Sequence, residues 1–205
     1  MNIQLKDISK RFGKEWIFKN INYQFESNEK YAIIGHNGSG KSTLLKVISN
    51  GLMPTLGSIN YSIPHKRTLS DFEINQQIAF AAPYISLIEE FTLKELFTFH
   101  TSLQKLYIQD FNQFLDIVEL KAHQHKLLKN FSSGMKQRTK LALTILSKTD
   151  TLLLDEPTSN LDSKSTQWYF NLIEQYTKDR ITIIGSNQSY EYEFCKHSIN
   201  ILDYK

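Results

Sequence analysis

One eight-residue segment, Gly35-His36-Asn37-Gly38-Ser39-Gly40-Lys41-Ser42, constrains this 205-residue chain more than any other. Ahead of it, Tyr31 to Ile34 form a continuous apolar run, which predicts a strand over 30–34 buried on both faces. Behind it, Leu44, Leu45 and Ile48 recur at helical spacing before Asn50-Gly51 supplies a stop. Strand, glycine-rich loop and helix together make the setting in which GxxxxGK[ST] holds phosphates. Glycines let backbone N–H groups turn inward around phosphate oxygens, and the helix presents its positive end to them. Lys41 adds a charge for the β- and γ-phosphates, and the Ser42 hydroxyl is placed to ligate Mg²⁺. Candidate nucleotide-binding positions are Gly35, His36, Asn37, Gly38, Ser39, Gly40, Lys41, Ser42 and Thr43.

The remaining pattern supports an α/β chain with a largely parallel sheet. Ile3/Leu5 and Ile21/Tyr23/Phe25 alternate with polar residues, as strands with one wet face do, and Gly13 marks the turn between them. Between Thr92 and Leu128 the pattern is helical. Thr92 and Glu95 form a capping box, and Phe111, Phe114, Leu115 and Val118 line one face, so a helical subdomain is expected at about 88–140 within a single domain spanning 1–205. From Phe131 a helix runs through Leu141, Ala142 and Ile145. Then come a strand at Thr151 to Leu154, a helix carrying Tyr169, Leu172, Ile173 and Tyr176, and a strand at Ile181 to Ile184.

Composition removes several function classes. With 24 Lys+Arg against 21 Asp+Glu the formal charge is +3, too small and too dispersed to argue for a nucleic-acid partner. Apolar runs such as Leu152 to Leu154 fall far short of the ~20 residues that a membrane span needs. One cysteine, Cys195, cannot close a disulfide within the chain, and the start Met1-Asn2-Ile3-Gln4 lacks the character of a secretory signal, so the cytoplasm is expected.

A second chemical element is Leu152-Leu153-Leu154-Asp155-Glu156, where a buried strand ends in two carboxylates. At the C-terminal edge of a parallel sheet, Asp155 is the candidate Mg²⁺ ligand and Glu156 the general base for an attacking water. A third, Phe131-Ser132-Ser133-Gly134-Met135-Lys136-Gln137-Arg138, opens a helix just ahead of that strand. It resembles the LSGGQ signature of ATP-binding cassette (ABC) ATPases, and Ser159-Asn160-Leu161-Asp162 resembles the D-loop of that family. The resemblance runs from about residue 3 to residue 203 and implies the ABC ATPase fold: a P-loop NTPase core, an N-terminal antiparallel β subdomain and an inserted helical subdomain.

For function, the resemblance implies a Mg²⁺-dependent ATPase subunit of a transporter. Each ATP would be sandwiched head-to-tail between the P-loop of one subunit and the signature residues Ser132, Ser133, Gly134 and Met135 of another, in a homodimer or a heterodimer with a second ABC ATPase subunit. Work would pass to a separate transmembrane permease, with this chain peripheral on its cytoplasmic face. Phe12 occupies the place of the residue that stacks on adenine, although an apolar strand end reads the same way. Phe91, Phe97 and Phe99 either line the groove that receives a cytoplasmic helix of the permease or are simply core.

Two departures bear on rate. Tyr84 stands where the family has a magnesium-directed glutamine; Gln76 and Gln77 are expected in the preceding strand, and Glu89 and Glu90 follow too late. Asn187 stands where the family has a histidine on the γ-phosphate, and it donates a neutral hydrogen bond without carrying a proton. They keep open a second reading, a slowly hydrolysing ATP-dependent dimerisation switch or a soluble non-transport ABC protein. His123 and His125, at i, i+2 on an expected helix, share no face and read as a solvated helix end.

Overall fold

Alternation alone builds the first sheet. In the computed structural model, which describes residues 1–63 and 69–205, β1 (Asn2–Phe12) and β2 (Glu15–Phe25) pair antiparallel across the Gly13 turn. Ile3, Leu5 and Ile8 of β1 and Phe18, Ile21 and Phe25 of β2 are buried, and the register sets Ile3 opposite Phe25 and Ile8 opposite Ile21. The register shifts between Leu5 and Ile8. There Asp7 takes a left-handed backbone (φ 50°) and its carboxylate accepts from the Asn22 amide at 2.8 Å, a bulge fixed by its own side chains.

The central sheet follows from runs with no polar face. The strand β3 (Lys30–Ile34) leads through the glycine-rich loop to α1 (Lys41–Ile48), and β4 (Leu56–Ser62) then joins the far edge of β1, giving the order β2-β1-β4. Beyond the short helix α2 (Asp71–Gln76) comes β5 (Ile78–Ala81). Gln76 therefore ends a helix and Gln77 caps it, where a strand was expected. The cause is a capping box, in which Ser70 and Glu73 satisfy each other's backbone N–H groups and start a helix too short to show periodicity.

Three longer helices follow: α3 (Leu93–Leu103), begun by the Thr92–Glu95 capping box, α4 (Phe111–Val118) and α5 (Ser133–Leu146). Phe131 lies two residues before α5, with Ser132 as N-cap. His123 and His125 are not on an α-helix. A 3-10 turn at Lys121–His123 ends before His125, because α4 stops at Glu119 in the left-handed region. The chain closes with β6 (Thr151–Asp155), α6 (Ser163–Tyr176), β7 (Ile181–Ser186) and β8 (His197–Asn200). The five-stranded order is β5-β6-β7-β3-β8, with β6–β7, β7–β3 and β3–β8 parallel. Both β6 and β7 are buried along their whole length, as their apolar runs require.

Two units divide the chain: Met1–Phe80 with Thr149–Pro157 and Lys178–Lys205, and Ala81–Lys148 with Thr158–Thr177. Each has its own core. The first gathers Phe18, Ile33, Leu44, Leu45, Leu153 and Ile183; the second gathers Leu93, Phe97, Phe114, Val118, Leu128 and Leu146. Each such side chain contributes about 1.5–3 kcal/mol by burial. Among the described residues no helix is long and apolar enough to cross a membrane.

Candidate nucleotide site

In the first unit the glycine-rich loop is fixed by crowding. Gly40, the N-cap of α1, sits at φ 110°, and a Cβ there would lie 2.6 Å from Ile17 Cγ2. A Cβ on Gly35 would lie 2.6 Å from Ser39 Oγ. Neither position tolerates a side chain. The Ser39 N–H donates to His36 O at 3.1 Å and closes the turn, while His36, Asn37 and Gly38 stay exposed. No side chain caps α1 and no acid lies in its first turn, so its amide end remains suited to an anion.

Lys41 is 4% exposed, and its ammonium donates to Gly35 O at 2.9 Å and His36 O at 3.1 Å. The cation is thus held across the loop by the loop's own carbonyls. Ser42 and Thr43 follow in the first turn, both half-buried.

Asp155 ends β6 at 2% exposure. Burial pushes its carboxyl above the usual carboxylate range and neighbouring Glu156 adds to this, against a hydrogen bond with Ser42 and the charges of Lys41 and Lys46. Its Oδ1 is buried with no hydrogen-bond partner. A carboxylate oxygen left bare beside a hydroxyl is a costly arrangement that a hard cation would relieve, and magnesium takes oxygen ligands of these two kinds. The residues therefore fit Mg²⁺.

Gly185 on β7 pairs with both Ile33 and Asp155, and a Cβ there would lie 2.7 Å from Leu45 Cδ1 and 3.3 Å from Asp155 Oδ1. Gly185 falls just past the apolar run Ile181 to Ile184, and a lone Gly within a strand is the signal of a close approach. Glu156 holds φ 43°, and its N–H donates to Gly185 O at 2.9 Å. Such strained non-glycine positions cluster at functional sites. Asn187 follows β7 directly and is exposed. Phe12, at the end of β1, is 52% exposed, with the Lys10 ammonium 5.1 Å from its ring centroid.

The segments 132–138 and 159–162, which resemble a signature and a D-loop, lie in the second unit. Ser132 N-caps α5, its hydroxyl accepting the Met135 N–H at 3.2 Å, and Ser132 and Ser133 are exposed. A Cβ on Gly134 would come 3.1 Å from Asn160 O. Arg138 pairs with Glu119 at 2.9 Å and lies 5.0 Å from the Trp168 ring, and the Trp168 indole donates to Ile117 O at 2.7 Å, which locks α5 to α4 and α6. Asp162 N-caps α6, accepting the Ser165 N–H at 2.8 Å, a bond that holds its carboxyl below the usual range.

Tyr84 follows β5 and is 47% exposed. The carbonyl of Ala82, two residues earlier, accepts from the buried Lys140 ammonium at 2.9 Å, and burial lowers the pKa of that lysine. Lys140 sits on α5 between Thr139 and Leu141, with Lys136, Gln137 and Thr144 one turn away, and that mixed local pattern does not mark it as buried.

The three phenylalanines separate. Phe97 is core, 5.1 Å from Phe114, whereas Phe91 and Phe99 meet edge-on at 5.8 Å and, with Phe111 and Lys94, line a groove of about 700 Å³.

The family model described as ABC transporter matches residues 18–159. The ABC transporter ATP-binding protein YybJ of Bacillus subtilis (strain 168) is 33% identical over 89% of this chain and 83% of its own length. Linearmycin resistance ATP-binding protein LnrL of the same organism is 29% identical over 98% of this chain, which spans 66% of that relative's length. Among solved structures, an ABC transporter ATP-binding protein from Pyrococcus furiosus superposes with a TM-score of 0.82 at 25% identity, covering 100% of both chains. The glycine-rich loop, the strand-end carboxylates and the signature-like segment all fall within residues 18–159, which match this model over most of the chain: it belongs to the ABC transporter family.

Proposed function

We propose that residues 1–205 form one ABC ATPase domain that binds and hydrolyses ATP with Mg²⁺ and powers transport through a separate membrane permease. The observation that carries this reading is the buried Asp155 with its bare Oδ1 beside Ser42, next to a lysine that closes a loop with no room for a side chain at Gly35 or Gly40.

Phosphates are received by the loop amides and the open end of α1, with Lys41 exchanging its carbonyl partners for phosphate oxygens. Ser42 and Asp155 hold Mg²⁺, which supplies neutralisation of the phosphate charge when bound. Glu156 accepts the proton of the water that attacks the γ-phosphorus, and Asn187 donates a hydrogen bond to the γ-phosphate. The α5 amide end with Ser132, Ser133, Gly134 and Met135 serves the ATP of a second subunit, the same chain or another ABC ATPase, in a head-to-tail dimer. Phe12 stacks on adenine. The Phe91/Phe99 groove receives a cytoplasmic helix of the permease, which keeps this chain peripheral on the cytoplasmic face and leaves no role for nucleic acid.

Tyr84 and Asn187 favour one second reading, a switch that dimerises on ATP and turns over slowly. Turnover of the purified chain with Mg·ATP, alone and with its permease, separates the two. The transporter reading expects Mg²⁺-dependent hydrolysis that the permease changes, and turnover indifferent to the permease would favour the switch.

A further inference from the structure

Nothing in the glycine-rich motif explains what holds the outer face of its loop. The loop can offer N–H groups inward only if its peptide planes are fixed, and every inward N–H leaves a carbonyl pointing outward. For the peptide between Ser39 and Gly40 that carbonyl has a cationic partner. The Lys205 ammonium donates to Ser39 O at 2.7 Å and to Ile17 O at 2.9 Å. Ile17 is also the residue whose Cγ2 would lie 2.6 Å from a Cβ on Gly40. One cation therefore ties β2 to the loop at the point where Ile17 packs against Gly40.

The lysine reaches this point by a fixed route. In β8, Ile199 and Asn200 stand opposite Ile33 and Ile34 of β3, the strand that feeds the loop. A 3-10 turn at Ile201–Tyr204 follows, begun by Asn200, whose side chain accepts the Leu202 N–H at 3.2 Å. Ile201 is fully buried, with Cγ2 2.7 Å from where a Cβ of Gly35 would stand. Lys205 itself is exposed, so its stem adds little to the core.

We infer that Lys205 is a positioning residue for the nucleotide site, acting through the Ser39–Gly40 peptide. The peptide is trans, so a carbonyl bound to Lys205 on the outside turns the Gly40 N–H away from the lysine, toward the concave side of the loop. A cation on the carbonyl also polarises the peptide, which makes that N–H a stronger donor to a phosphate oxygen. This rests on the reading of the loop as a nucleotide site.

The test measures Mg·ATP and Mg·ADP affinities of the full chain by displacement of a fluorescent nucleotide, together with the nucleotide-free melting temperature. Lys205→Met is expected to weaken ATP and ADP alike, by about tenfold, the scale of one charge-assisted hydrogen bond. Lys205→Arg should recover affinity to within about twofold, since it restores a cationic donor. The melting temperatures of both variants should stay near that of the parent. Should Lys205→Met fold poorly, Lys205→Gln, a neutral donor, is expected to fall between parent and Met. Parent-like affinity in Lys205→Met, or an arginine variant as weak as the methionine one, overturns the inference. Lys41→Ala, assayed alongside, keeps the two readings apart: retained affinity there removes the nucleotide site itself, whereas loss there with an unaffected Lys205→Met removes only the role of Lys205.

Discussion

The N-termini of α1 and α5 are both free of acidic residues in the first turn, whereas α2 and α3 begin with Glu73 and Glu95 folded back in capping boxes. Beyond that likeness the two ends differ. In α1 the N-cap is Gly40, which has no side chain to give, and Lys41 beside it is buried and bonded to loop carbonyls. In α5 the N-cap Ser132 satisfies an amide of its own helix and lies exposed. The first end is assembled within its unit and has unmet donors, so it should bind a polyphosphate by itself. The second is self-sufficient, so it should fold without a ligand and recruit one only when a nucleotide is brought to it.

Substitutions can break this contrast at three strengths. Glu156→Gln should lower hydrolysis by about 10²- to 10⁴-fold while ATP affinity stays at the parent level, because a general base acts only in the chemical step. Steady-state turnover beside equilibrium binding measures the separation, and a parallel loss of affinity would move Glu156 out of the base role. Lys41→Ala should weaken ATP by roughly 10²-fold, the worth of one or two charge-assisted bonds, with little change in nucleotide-free stability. Ser132→Ala should do the opposite in kind and less in size: thermal denaturation should report a stability loss of about 1 kcal/mol from the missing cap, with monomer nucleotide affinity untouched. If Ser132→Ala weakened nucleotide binding by the monomer, the self-sufficiency of α5 would be wrong.

Legibility from sequence follows the same divide. The loop, α1 and the Asp155-Glu156 strand end were readable because their chemistry is local: consecutive residues both build the turn and carry the ligands. Register, bulges and close approaches were not. Gly185 matters through Asp155, thirty residues away, and Lys205 through Ser39, at a separation of 166 residues. In the helical region, Phe97 and Phe99 are two residues apart on one helix, yet one is core and the other lines the groove, a distinction that depends on which neighbours pack against α3. Gln76 ends a helix of six residues, too short for periodicity to register, and its signal lies in the Ser70–Glu73 capping box.

Central to the account is the proposal that the N-termini of α1 and α5 meet through ATP in a head-to-tail pair. Light scattering on Glu156→Gln, with and without saturating Mg·ATP, tests this directly, since slow hydrolysis leaves the bridging nucleotide in place. Twice the monomer mass with Mg·ATP and the monomer mass without it is the predicted result, and Ser132→Arg added to that variant should restore the monomer while nucleotide affinity persists. A Glu156→Gln protein that stays monomeric with ATP bound, or a dimer indifferent to Ser132→Arg, would contradict it.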